Sequence, residues 1–138
     1  MSATHTTVTG QPSGPLPDLC AAWPDGGRTV RQTLDRIGDK WSVLVIGVLA
    51  ASGPLRFTAL HQRVPGISQR MLTLTLRKLE RDGLVIRTAH AEVPPRVEYE
   101  PSALAATLIP HAVALANWAI EHNPDIDAHR DAYDKRQH

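Results

Sequence analysis

A mainly α-helical fold with one small β-hairpin is what this 138-residue sequence predicts, and three observations predict it. Apolar residues recur at helical spacing through most of the chain. A single pair of β-like runs, Leu84 to Ala89 and Arg96 to Glu100, brackets a proline-bearing tip, His90-Ala91-Glu92-Val93-Pro94-Pro95. Two predicted helices, ending near Val64 and starting near Ser68, meet across the short Pro65-Gly66-Ile67 turn.

The elements follow in order. Residues 1–27 carry Pro12, Pro15, Pro17 and Pro24 among Gly, Ser and Thr, the composition of a flexible lead, with Leu16, Leu19 and Trp23 able to pin its end. Val30, Leu34 and Ile37 space a short amphipathic helix that Gly38 can end. Trp41 to Ala51 (WSVLVIGVLAA) is apolar nearly all round, as a helix enclosed by its neighbours must be, and Gly53-Pro54 stops it. Phe57, Leu60 and Val64 space a third helix.

Ser68 is a good N-cap for a fourth helix running to Asp82, with Gly83 as its stop. Leu72, Thr75, Leu76 and Leu79 share one face of it, while Arg70, Thr73, Leu74, Arg77 and Arg81 share the opposite one. After the hairpin, Ser102 can cap a last helix reaching about His122, bent at Pro110. Its apolar surface (Leu104, Leu108, Leu115, with Val113, Trp118 and Ile120 beside them) exceeds what one small domain covers, and a second copy of the chain would cover it. The expected organisation is thus a flexible segment over 1–27, a domain over 28–123 with a C-terminal dimerisation helix, and a charged tail over 124–138.

Composition narrows the function classes. Net charge is only +1, but between Arg56 and Arg96 eight basic residues face three acidic ones, while the remainder holds seven basic and eleven acidic. A basic segment in an otherwise acidic chain is the footprint of docking on phosphates; its bland rival is a solvated helix face. One cysteine, Cys20, permits no internal disulfide and excludes a cysteine-rich zinc module, and a reduced cytoplasmic setting is the simplest expectation. The first residues lack the basic start and apolar stretch of a secretory signal, and the longest apolar run, 41–51, falls short of a membrane span. Neither a membrane nor a cofactor is expected.

An enzyme finds little support. Phosphate-loop, dinucleotide and nucleophile-elbow patterns are missing, and the seven histidines show no His-x-x-x-His spacing, so no metal site is expected.

The words TLDRIGDKWSVLVIGVL, LRFTALHQRVPGISQRMLTLTLRKLERDGLV and EVPPRVEYE, in this order over Thr29 to Asn123, resemble the HxlR family of bacterial winged helix-turn-helix regulators, related to the MarR type. The resemblance implies a winged helix-turn-helix dimer built on its N- and C-terminal helices that binds double-stranded DNA. Three departures stand out. The cysteine common before the first helix of the family falls at Arg28 here, with Cys20 eight residues earlier; Pro101-Ser102 and Ala105 replace a Leu-Thr and glycine pattern; and Leu74 holds a position usually polar.

The expected function is a sequence-specific transcriptional repressor acting as a homodimer on an inverted-repeat operator. Base reading falls to Ser68, Gln69, Arg70, Thr73 and Leu74, at the start of the helix that fits the major groove. Arg77, Lys78 and Arg81 are placed for phosphates, and Arg87, His90 and Arg96 on the wing. Arg96 would enter or flank the minor groove, or else pair with Glu92 or Glu98. Two alternatives remain: a winged interaction module without DNA binding, and a sensor switched through Cys20 or by an unidentified small molecule in a pocket lined by Trp23, Trp41 and Trp118.

Overall fold

The computed structural model describes residue 23 and residues 25–137. Cys20, Leu16 and Leu19, on which sequence expectations fell, lie outside them. The chain divides into a unit up to residue 35 and a unit over 36–138.

In the first unit, Asp25 caps the start of α1 (Arg28–Ile37) by accepting from the Gly27 and Thr29 amides at 3.2 and 2.9 Å and from the Thr29 hydroxyl. These bonds hold the Asp25 carboxyl below its ordinary range, the Thr29 hydroxyl contributing most. No residue of α1 is buried, and Leu34 of the expected apolar stripe is 55% exposed.

The second unit is built around α2 (Lys40–Ser52), whose Val45, Ile46 and Leu49 are buried. Against it lie α3 (Phe57–Arg63) and α4 (Gln69–Arg81), the antiparallel strands β1 (Val85–His90) and β2 (Arg96–Pro101), and α5 (Ala103–Arg136). Leu60, Leu72, Leu76, Leu79, Val85 and Ala105 complete one core, against which Tyr99 of β2 packs partly buried. Leu55 joins the hairpin edge through paired backbone bonds with Tyr99 of 3.0 and 2.8 Å.

The expected punctuation operates at named atoms. Asp39 caps α2 by accepting from the Trp41 and Ser42 amides, and Gly53, at φ 77°, follows its end. After α4 the Leu84 amide donates to the Leu79 carbonyl and the Gly83 amide to Glu80, a Schellman ending that glycine favours because φ is 78°. Ser102 caps α5 through the Ala105 amide and also donates to the Gly83 carbonyl, so the start of the last helix is fixed to the end of α4.

Two expectations need correction at α5. The helix does not end near His122 but continues through Pro124 to Arg136. A proline deletes only one amide donor, and Asn123 bonds Asp127 one turn on, spanning it. The helix also contains an 18-residue stretch apolar enough by length and composition to cross a membrane, most of it exposed. Counting uninterrupted runs missed it because Pro110, His111 and Asn117 break the run without making it polar.

Candidate nucleic-acid interface

The helix-turn-helix is assembled from the core outward. Leu72, Thr75, Leu76 and Leu79 are buried, which fixes the rotation of α4 and leaves its opposite face outside. The preceding turn is held from both sides. Gly66, at φ 89°, takes a left-handed turn beneath Trp41, whose ring lies 3.7 Å from where a Cβ would stand. His61, stacked on Phe57, bonds the Ile67 carbonyl through Nε2 at 2.9 Å.

On the outer face, Gln69, Arg70, Leu74, Arg77 and Arg81 are exposed. Ser68 uses its hydroxyl oxygen as the N-cap, accepting from the Met71 amide at 3.0 Å, and its O–H makes no bond among the described residues. The Thr73 hydroxyl donates to the Gln69 carbonyl at 2.9 Å, so its proton is already used within the helix. Met71 and Leu74, 39% and 46% exposed, place apolar surface beside Arg70.

Lys78 differs from the arginines of this helix in having a partner within the chain. It is half-buried, and its ammonium pairs with Asp39, the cap of α2. Burial pushes the Asp39 carboxyl up; hydrogen bonds from Lys78 and Ser42, together with the Lys78 charge, outweigh this and lower it from 3.8 to about 2. Lys78 therefore fastens the recognition helix to the core helix. Helix periodicity placed it beside Arg77 and Arg81 but could not see a partner 39 residues away.

The hairpin sorts its basic side chains by face. The register pairs Arg87 with Tyr99 and His90 with Arg96, so alternation puts Val85, Arg87 and Tyr99 on the core side and His90, Arg96 and Glu98 on the other. On that outer side His90 bonds Glu98 at 3.0 Å and Arg96 bonds Glu92 at 2.8 Å. Of the ion-pair partners weighed for Arg96, Glu92 is the one it meets. Arg87 stands with the recognition helix instead: Thr73, Arg77, Glu80, Arg87 and Tyr99 line a cleft of about 350 Å³ between α4 and the hairpin.

The expected tryptophan-lined pocket is also corrected. A groove of about 550 Å³ does run between α2 and α5, but Leu44, Val48, Ile109, Ala112 and Val113 line it, with Arg63 the one charged side chain. Trp41 instead packs on the core and Trp118 is 52% exposed. No cluster of metal-ligating side chains occurs among the described residues.

Comparison with known proteins agrees with this geometry. The sequence model of the HxlR-like helix-turn-helix family matches residues 36–127. The chain is similar to a helix-turn-helix-type transcriptional regulator of Methanothermobacter thermautotrophicus, 46% identical over 65% of this chain and 68% of that one. It is 41% identical to the regulator YdeP of Bacillus subtilis, over 79% of this chain and 87% of YdeP. Among solved structures, the transcriptional regulator ytfH of Salmonella typhimurium superposes with a TM-score of 0.66 at 33% identity, covering 74% of this chain and 90% of the other. The redox regulator HypR in its reduced form gives a TM-score of 0.67 at 37% identity over 72% and 98%, and its oxidised form 0.63 at 40% over 67% and 95%.

Proposed function

Because the chain belongs to the HxlR-like helix-turn-helix family, whose members are transcriptional regulators and not enzymes, we propose that it is a repressor acting in the cytoplasm as a homodimer on an inverted-repeat operator. One observation carries the reading. With Leu72, Leu76 and Leu79 held in the core, α4 turns outward a face of Gln69, Arg70, Leu74, Arg77 and Arg81 whose three arginines have no ion pair among the described residues. Arg70 suits bidentate bonding to guanine, Gln69 to adenine, and the Thr73 methyl and Leu74 contact with a thymine methyl. Arg77 and Arg81, further from the N-terminus, suit phosphates.

The interaction-module alternative gives no reason for three unpaired arginines on one helix face. Homodimer formation is supported by the apolar surface of α5, where Leu104, Leu115, Trp118 and Ile120 are more than half exposed. The same surface argues for a protein partner over a lipid one, since Pro110 and His111 would sit within the span.

Titrating the purified protein with duplex fragments selected from genomic DNA tests the proposal. The expected result is a symmetric site, bound with a logarithmic affinity that falls steeply with the logarithm of salt as counterions are released. Salt-insensitive or absent binding to every fragment refutes it.

A second reading, redox control through Cys20, is favoured by the likeness to HypR in both redox forms. As the sequence has no other thiol, an oxidised Cys20 would have to pair with another chain or a small thiol. An unchanged oxidant response in Cys20→Ser removes this reading.

A further inference from the structure

We propose that the cleft between α4 and the hairpin seats one backbone phosphodiester of the bound duplex, gripped by Arg77 from the recognition helix and Arg87 from the wing. The inference rests on the DNA-binding reading and adds to it a site and its ligand. Three observations meet there.

The cleft is a real concavity of about 350 Å³ with both arginines in its lining. Each comes from a different element, so their guanidinium groups can close on one anion from two sides. Neither has an ion pair among the described residues, whereas Lys78 is engaged by Asp39, Arg96 by Glu92 and Arg63 by the Ser52 hydroxyl, and the unpaired Arg70 and Arg81 lie outside the cleft lining. The hairpin therefore pairs Arg96 on its outer side and leaves Arg87, its other arginine, without an ion pair on the side that meets the recognition helix.

Position selects the ligand. Thr73 lines the same cleft and lies one turn from Arg70, so an anion there borders the strip of α4 that faces base edges. In a protein–duplex complex the charge beside a groove-bound helix is the backbone phosphate. Glu80 also lines the cleft and leaves it with a net charge of +1, matched to a singly charged phosphodiester rather than to a more highly charged free anion. Arg87 becomes a positioning residue that sets the angle between wing and groove without reading sequence.

A double-mutant cycle tests the proposal, using the full chain and a selected operator, with salt dependence measured for each variant. Arg77→Ala and Arg87→Ala should each weaken binding about tenfold on matched and scrambled duplexes alike, as expected for a charged hydrogen bond. Because the seat holds its anion only with both guanidinium groups in place, each should also flatten the salt slope by about one phosphate. The double variant should lose little more than either single one and still flatten the slope by about one, because one phosphate is shared. Glu80→Gln should tighten binding to both duplexes.

Additive losses with a slope reduced by about two would mean separate phosphates and overturn the shared seat. An unchanged slope in Arg87→Ala would overturn it as well. Thermal unfolding and an Arg87→Lys variant, which should recover part of the affinity, guard against a folding defect. Inorganic pyrophosphate, compared with chloride at equal ionic strength, should compete no better; Arg87-dependent competition would make a free anion the ligand and refute the proposal. If wild-type protein and an Arg70→Ala variant behave as a DNA reader and its impaired form while Arg87→Ala does not change, only this inference falls.

Discussion

Asp39 shows how much one side chain can organise. It caps α2, bonds the Ser42 hydroxyl at 2.7 Å and holds Lys78 of α4, so the core helix and the recognition helix share one carboxylate. Asp39→Asn should keep the cap but lose the charge pair, at a cost of about 0.5 kcal/mol for so solvated a pair. Asp39→Ala should lose both and cost about 1 to 2 kcal/mol, read by urea unfolding. The carboxyl is lowered from 3.8 to about 2 in the folded chain, so its stabilisation is complete above 3.8 and is lost as pH falls from 3.8 toward 2. The gap between wild type and Asp39→Asn should close across that window; a constant gap would show that charge plays no part. Gly66 is a second such residue. At φ 89°, Gly66→Ala should cost about 1 to 2 kcal/mol through the left-handed backbone alone, since the Trp41 contact at 3.7 Å leaves space for a methyl group.

At the scale of elements, α4 and the hairpin divide the work of recognition. Arg70→Ala should lower affinity for the matched site by about 1 to 3 kcal/mol and relax preference at one base, whereas Arg81→Ala should weaken every sequence alike. Titrations on matched and scrambled duplexes separate the two, and an Arg70→Ala variant with unaltered discrimination would end its base-reading role. Lys78→Ala should behave as neither, reducing stability with little change in salt slope. These elements differed in legibility. The buried face of α4 and its Ser68 cap followed from a 3.6-residue period and local chemistry, both of which act within one turn. The fates of Lys78, His90 and Arg96 did not, because Asp39, Glu98 and Glu92 capture them through tertiary or cross-strand geometry. Arg87 was recognisable as a wing residue, but its side of the hairpin depended on the register with Tyr99. The end of α5 was not legible because the apolar pattern fades near His122, while the charged residues beyond it continue the helix to Arg136.

For the whole molecule, the decisive quantity is the apolar surface that one chain leaves uncovered. At 100° per residue, Ala105, Ile109, Ala112 and Ala116 share one side of α5, and three of them line the groove with α2. Leu104, Leu115 and Trp118 lie to one side of that contact and Val113 and Ile120 to the other, all more than half exposed. A second chain covering them would present two copies of α4, and a two-fold axis would set these on successive major grooves about 34 to 36 Å apart. Replacing Leu115 and Trp118 together by Glu should then give a monomer in sedimentation at micromolar concentration, where wild type is a dimer. Both positions are exposed, so the thermal transition of the domain should persist. Operator affinity should fall about 10²- to 10⁴-fold, because the second half-site would no longer be bound at the high effective concentration that tethering provides. The remaining single-half-site binding should still depend on Arg70. A double variant that stays dimeric, or a wild type that sediments as a monomer, would place the dimer contact elsewhere or remove it, and the inverted-repeat operator would lose its physical basis.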